Sequence, residues 1–250
     1  MDVEQVPETA AMQRTRVELA AACRWAARLG MQSGVCNHFS AAVPGRPDLM
    51  LINPEGYFWA EVTPRSLVLA THDGTVLSTN GNTVELTAFC IHAPIHRLLP
   101  QAVAVLHTHM PHATAVCAQE GGVVEPIYLS SVEFHQRIAY DRGFEGAAMT
   151  PAEGERLAGK LGDCVVLMME SHGPLVVGES IGTALLRLIY LEDTCQIQLL
   201  ADAGRRPLKR IAPALLPRTP KNPQMYRDYG DKLMTAVIRT LSREDPGFLA

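Results

Sequence analysis

Three histidines that follow apolar segments of the chain could together hold a metal ion. His107 and His109 come directly after the apolar run 102–106, and His172 follows the apolar run 164–169. In an extended segment, side chains at positions i and i+2 point to the same face, so the imidazoles of the first pair converge. Imidazole nitrogens suit Zn, Mn and Fe at neutral pH. Three protein ligands leave a coordination position open, as in catalytic metal sites, although a pair of histidines two residues apart also arises by chance.

The elements that must position these histidines are short strands that alternate with helices. The apolar periodicity predicts helices over residues 9–29, 85–99, 111–119, 151–161, 181–201 and 226–241. It predicts strands over residues 38–44, 49–53, 67–70, 102–106, 164–170 and 175–177. Such an alternation within one hydrophobic unit predicts a layered α/β domain. We expect one domain over residues 1–250, in which 204–250 form a proline-rich tail and a C-terminal helix.

The composition narrows the class of protein and its partners. The chain has 250 residues and a net charge of −4, so nothing favours nucleic acid as a partner. No apolar stretch reaches the ~20 residues that a membrane span needs. Six scattered cysteines and no signal-peptide pattern predict reduced thiols and a cytoplasmic location.

Four short motifs together resemble the class II aldolase/adducin family over about residues 21–201. They are Asn37-His38-Phe39-Ser40, Leu51-Ile52-Asn53-Pro54-x-Gly56, His107-Thr108-His109 and Ser171-His172-Gly173. The resemblance implies a three-layer α/β/α fold with a central, mainly antiparallel sheet, and a tetramer with sites near the subunit interfaces. It also implies a divalent ion (Zn, Mn or Fe) on the three histidines, with Asn37, His38 and Asn53 lining the pocket. Most members have Asn-His-Gly at the third ligand, where this chain has Ser171.

Two departures from the sugar-phosphate aldolases change the expected substrate. Those enzymes hold phosphate with a Gly-Asn turn and a Ser-Ser pair before a catalytic Glu, whereas this chain has Cys36-Asn37 and Leu86-Thr87-Ala88. The phosphate grip is therefore absent from the sequence. Glu85 lies one helical turn before Ala88 and is our candidate acid/base or additional ligand. The alternative is that Glu85 only stabilises the start of a helix.

The run 84–96 is similar to family members that decarboxylate aromatic and pyridine dicarboxylates. It predicts a divalent-metal-dependent lyase that cleaves a carbon–carbon bond of a non-phosphorylated, carboxylated small molecule through a metal-stabilised enolate, with decarboxylation favoured over retro-aldol cleavage. The alternatives are an aldolase that acts on a hydroxy-keto acid or sugar, a non-haem iron oxygenase, and an adducin-like interaction module without catalysis.

Four further side chains are candidates for the site. His92 and His96 lie at positions i and i+4 of one predicted helix, where they could bind a substrate carboxylate or transfer a proton, or could be polar residues of a buried helix. Tyr128 follows His107 by 21 residues, as does a catalytic tyrosine that acts across the subunit interface in the sugar-phosphate aldolases, and is a candidate proton donor. Arg137 could bind a carboxylate, or could form an ordinary surface pair.

Overall fold

The computed structural model describes residues 6–143, 146–216 and 223–249. Over these residues the chain forms seven strands and six α-helices. The strands are β1 His38–Val43, β2 Arg46–Ile52, β3 Val68–Thr71, β4 Ala104–His107, β5 Ile138–Asp141, β6 Val166–Met169 and β7 Gly173–Gly178. The helices are α1 Ala10–Arg28, α2 Leu86–Leu98, α3 Pro111–Cys117, α4 Pro151–Leu161, α5 Ile181–Ala203 and α6 Pro223–Glu244.

The strands form one sheet in the order β3-β2-β1-β4-β7-β6-β5. Every neighbouring pair is antiparallel except β5 and β6, which are parallel, so the expected mainly antiparallel sheet is confirmed. The edge strand β5 was not among the predicted elements. Three of its four residues are half-buried, and the segment lacks the unbroken apolar run that marks the central strands.

Helices cover both faces of the sheet, which confirms the three-layer α/β/α architecture. Alternate residues of β4 show the division, because Ala104 and Leu106 belong to the core shared with α1, α5 and α6, whereas Val105 belongs to the core shared with α2 and α4. Helices α5 and α6 cross closely at two glycines. A Cβ atom on Gly182 would lie 2.5 Å from the carbonyl oxygen of Gly230.

The C-terminal part contains the predicted helix, which runs from Pro223 to Glu244 as α6. The predicted proline-rich segment falls partly on residues 217–222, which lie outside the described residues. Among the helices that the structure describes, none has the length and apolar character needed to cross a membrane.

The antiparallel order brings distant parts of the sequence to one edge of the sheet. His38 begins β1 and His107 ends the neighbouring strand β4, and the two residues are direct register partners. On the other side of β4, strand β7 begins at Gly173, immediately after His172. One edge of the sheet therefore carries the end of β4 between the beginnings of β1 and β7.

Candidate metal centre

The three histidines expected to bind a metal lie together at this edge. Potential ligand nitrogens of His107, His109 and His172 all lie within 4.8 Å of one another. The ring centroids are 4.8 to 5.1 Å apart. Two strand ends thus deliver three imidazoles to one point, where they could together hold a single divalent ion.

The hydrogen bonds and burial of the three rings fit a divalent cation. The Nδ1–H of His107 donates to the carbonyl oxygen of Pro174 at 3.0 Å, which leaves Nε2 free as a ligand. The Nε2 atom of His109 is buried and has no hydrogen-bond partner among the residues that the structure describes. Burial lowers the pKa of all three rings, that of His172 to about 4, so the rings are neutral at pH 7, the form that binds metal.

A buried carboxylate holds the segment that follows His109. Glu192 of α5 accepts hydrogen bonds from the backbone N–H groups of His112 and Ala113 at 3.0 and 2.9 Å, in the first turn of α3. It also contacts Nδ1 of His112 at 2.7 Å. His112 is therefore a residue of the first turn of α3. Sequence reasoning did not assign a role to Glu192, a charged residue that α5 buries.

The backbone conformation is restricted on both sides of His172, at Ser171 and at Gly173. Ser171 has a φ of 55°, a left-handed conformation that Asn and Gly adopt more easily than Ser. A Cβ atom on Gly173 would lie 3.0 Å from the carbonyl oxygen of Thr108 and 3.2 Å from the His109 ring. The glycine is thus required for the close approach of this loop to the His107–His109 segment.

His38 and Glu85 lie beside the three histidines. The His38 ring centroid is 5.1 Å from that of His107, and His38 Nε2 is 3.6 Å from a carboxylate oxygen of Glu85. Glu85 is the N-cap of α2, where its side chain accepts from the Ala88 N–H at 2.8 Å and from the Thr87 hydroxyl at 2.5 Å. Burial opposes ionisation, but these hydrogen bonds and His38 outweigh it and lower the pKa of the Glu85 carboxyl. Glu85 therefore stabilises the start of α2, and its position is also compatible with the acid/base or additional-ligand role, which stays a prediction.

His92 contacts His38 directly, and His96 is joined to His92 through Ser40. Nδ1 of His38 is 3.2 Å from Nε2 of His92, and Nδ1 of His92 is 2.6 Å from the Ser40 hydroxyl. The same hydroxyl is 2.7 Å from Nε2 of His96, whose Nδ1 is 2.9 Å from the carbonyl oxygen of Ala102. Sequence reasoning missed Ser40 as a site residue. The available signal was its spacing, since Ser40 and His38 lie two residues apart on one face of β1.

The two asparagines of the motifs make hydrogen bonds with the backbone around the start of β1. Asn53 accepts from the Phe39 N–H at 2.7 Å and donates to the Asn37 carbonyl at 3.3 Å. Asn37 accepts from the Ser33 N–H at 2.7 Å. These bonds fix the segment that leads into His38. Direct contact of either amide with substrate stays a prediction.

Tyr128 and Arg137 are not joined to the histidines by any hydrogen bond or ion pair within the described parts of the chain. Arg137 pairs with the buried Glu133 at 2.7 Å, and Glu133 is held in turn by Arg187 at 2.8 Å. Tyr128 precedes the short 3₁₀ helix Leu129–Phe134 and is half-buried. Their expected substrate roles stay predictions, and for Tyr128 the prediction involves a neighbouring subunit.

Comparison with known proteins identifies the family. The model of the class II aldolase and adducin N-terminal domain matches residues 17–199. The chain belongs to the class II aldolase/adducin family. A putative aldolase class 2 protein of Caulobacter vibrioides is 32% identical over 237 residues, which cover 94% of this chain and 91% of that protein. The decarboxylase NovR of Streptomyces niveus is 30% identical over 189 residues, covering 75% and 70% of the two chains.

A solved structure supports the same assignment. The crystal structure of an aldolase II superfamily protein from Pseudomonas syringae matches with a TM-score of 0.85 and 34% identity, and the match covers 96% of this chain and 97% of that one. The family and fold expected from the four motifs are therefore confirmed.

Proposed function

We propose that this member of the family is a divalent-metal-dependent lyase that cleaves a carbon–carbon bond of a non-phosphorylated, carboxylated small molecule, with decarboxylation favoured over retro-aldol cleavage. The observation that carries the proposal is the convergence of His107, His109 and His172, with Nε2 of His109 buried and without a hydrogen-bond partner in the described parts of the chain. A bound Zn, Mn or Fe ion would supply a Lewis acid that stabilises negative charge on a substrate oxygen as the bond breaks.

The contacts at the start of α2 argue against a phosphorylated substrate. The backbone N–H groups at a helix N-terminus commonly bind phosphate, with nearby hydroxyl groups as further donors. Here the chain's own Glu85 carboxylate takes the Ala88 N–H and the Thr87 hydroxyl. A phosphate at this position would lose these two donors and would face a carboxylate. Leu86, which stands where the sugar-phosphate aldolases have the first serine of the Ser-Ser pair, is an exposed apolar side chain and offers no hydroxyl group.

Decarboxylation is favoured among the possible lyase reactions because of the resemblance to NovR, which is named a decarboxylase. Decarboxylation and retro-aldol cleavage both generate a carbanion, so the same electrostatic stabilisation serves either reaction. That the substrate carries a carboxylate is part of the proposal, which covers both aromatic and aliphatic substrates. We also propose a homotetramer with sites near the subunit interfaces, to be tested by sedimentation against the 27.2 kDa mass of one chain.

Metal analysis of the purified protein is the first test of this proposal. We expect a divalent metal in the wild-type protein and its loss in His109→Ala, whereas His135→Ala, which changes a histidine outside the site, should retain the metal. Carbon dioxide release from a panel of aromatic dicarboxylates then separates decarboxylation from aldol cleavage, and oxygen consumption by the iron-loaded protein identifies an oxygenase. A protein that binds no metal and gains no activity with Zn, Mn or Fe would sink the lyase proposal and favour an interaction module.

A further inference from the structure

A continuous series of hydrogen bonds between β1 and α2 connects the carbonyl group of Ala102 to His38. Which atom donates in each bond can be derived by starting at Ala102. A carbonyl oxygen can only accept, so Nδ1 of His96 carries the proton of the 2.9 Å bond to Ala102. The His96 side chain is buried, and burial lowers its pKa to about 3. The ring is therefore neutral at pH 7, and its Nε2 is an acceptor.

The Ser40 hydroxyl transmits this direction to the next histidine. Its single hydrogen must be donated to the acceptor Nε2 of His96 at 2.7 Å. The Ser40 oxygen therefore accepts the 2.6 Å bond from Nδ1–H of His92. His92 is fully buried, and burial lowers its pKa well below the usual value, so this ring is also neutral and its Nε2 is an acceptor.

His38 must then donate through Nδ1 to Nε2 of His92, at 3.2 Å. The tautomer of a histidine is set by the hydrogen bond that its other nitrogen makes. A neutral His38 consequently has no hydrogen on Nε2, the atom that lies 3.6 Å from the Glu85 carboxylate. The direction of the chain does not depend on the protonation state of His38, because a second proton on this ring would be added at Nε2 and leave the Nδ1 bond unchanged.

We propose that Ser40, His92 and His96 are positioning residues that hold His38 with its Nδ1 hydrogen donated to His92, and so direct its Nε2, beside Glu85, toward the metal site. The role of His38 at a metal site rests on the proposed function, whereas the test of its tautomer does not require that function. Because the chain ends at a backbone carbonyl, which has no proton to pass on, it orients His38 and does not conduct protons to solvent.

The proposal has a consequence for the substrate. When His38 is neutral, its Nε2 and a carboxylate oxygen of Glu85 both accept hydrogen bonds, so a substrate group that hydrogen-bonds to this pair must be a donor, such as a hydroxyl group. A substrate carboxylate could not accept a hydrogen bond from this pair and would face the charge of Glu85. The carboxylate of the substrate therefore points away from this pair, and a hydroxylated carboxylic acid is the class that fits.

The test is nitrogen NMR of the full-length, metal-free protein labelled with ¹⁵N in its histidine side chains, at neutral pH. Two-bond correlations to the ring carbon hydrogens distinguish protonated from unprotonated nitrogens, and His38→Gln, His92→Gln and His96→Gln assign the signals. We expect protonated Nδ1 and unprotonated Nε2 on His96 and His92, and a protonated Nδ1 on His38. Protonation of His38 at Nε2 alone would overturn the proposal and would make this atom a donor for a substrate carboxylate.

Removal of the connecting hydroxyl tests the chain itself. In Ser40→Ala, we expect the single-tautomer signals of His92 and His38 to be replaced by those of a mixture, while Ser66→Ala, which removes a hydroxyl hydrogen-bonded within the turn at Thr63, should leave them unchanged. A folded Ser40→Ala protein with the wild-type pattern would also overturn the proposal. If Ser40→Ala does not fold, the wild-type spectrum alone decides. Neither measurement requires metal or substrate, so failure here is distinguishable from failure of the proposed lyase activity.

Discussion

Acidification should destabilise the metal-free protein more steeply than it destabilises a His96→Gln variant. In the native state His96 is buried, both of its ring nitrogens are hydrogen-bonded, and its pKa is lowered to about 3. In the unfolded chain the same ring has a pKa of about 6.5. Below about pH 6.5 the unfolded state therefore binds a proton that the native state does not bind. Stability falls as the pH is lowered through this window, and the loss levels off only below the native pKa.

The magnitude follows from the width of the window. Each pH unit between the two pKa values costs about 1.4 kcal/mol for one such ring, so acidification from about pH 6.5 to pH 5 should cost about 2 kcal/mol through His96 alone. The pKa of His92 is also lowered by burial, and this ring acts in the same direction. The comparison between wild type and variant isolates the share of His96, because the other buried histidines are common to both proteins.

The assay is urea unfolding at several pH values between about 5 and 7, with a chelator present so that metal binding does not contribute to the pH dependence. His96→Gln keeps a polar side chain but cannot titrate in this range. Its free energy of unfolding should therefore fall less steeply with decreasing pH, by the equivalent of up to one bound proton. His135→Gln serves as the matched control and should keep the wild-type slope. Parallel curves for wild type and His96→Gln would refute the reasoning, whatever their separation at pH 7.

Three further changes test the loop of His172, the segment after His109 and the crossing of α5 and α6. Ser171→Asn should raise the free energy of unfolding by about 0.5–1 kcal/mol with metal content unchanged, because Asn tolerates the φ of 55° better than Ser. Glu192→Gln should weaken Zn binding by roughly 10-fold in a chelator competition, because the carboxylate holds the segment after His109. Gly182→Ala should cost about 2 kcal/mol or more in urea unfolding, because its Cβ would meet the Gly230 carbonyl, whereas Gly159→Ala, with open space around its Cβ, should be neutral or stabilising.

Much of the fold could be predicted because the central strands and helices have clear apolar patterns. The apolar runs before His107 and His172 became β4 and β6, and the motif of His38 became the start of β1. The strand β5 could not be predicted, since an edge strand with half-buried residues has no strong period. Thr150 precedes α4, but its side chain makes no capping hydrogen bond.

The convergence of the three histidines could be predicted because His107 and His109 lie at and just after the end of β4, His172 lies just before β7, and an antiparallel order joins the end of one strand to the start of its neighbour. The hydrogen-bond chain beneath the sheet could not be predicted in the same way. It depends on the face of α2 that meets β1, which brings His92 and His96 of the helix to either side of Ser40. The helical spacing showed that the two histidines share a face, but only the packing shows what lies between them.

Under the proposed function, Glu85 connects the two features that are expected to distinguish this site from one built for a sugar phosphate. As the N-cap of α2, its carboxylate occupies the N–H and hydroxyl donors of Ala88 and Thr87. From the same position it places a negative charge 3.6 Å from Nε2 of His38. A carboxylate one turn earlier than in the sugar-phosphate aldolases thus has two effects at once, since it removes donors that phosphate would need and gives the imidazole an anionic neighbour. Because one side chain does both, the choice of substrate and the handling of protons at this edge of the sheet are expected to change together.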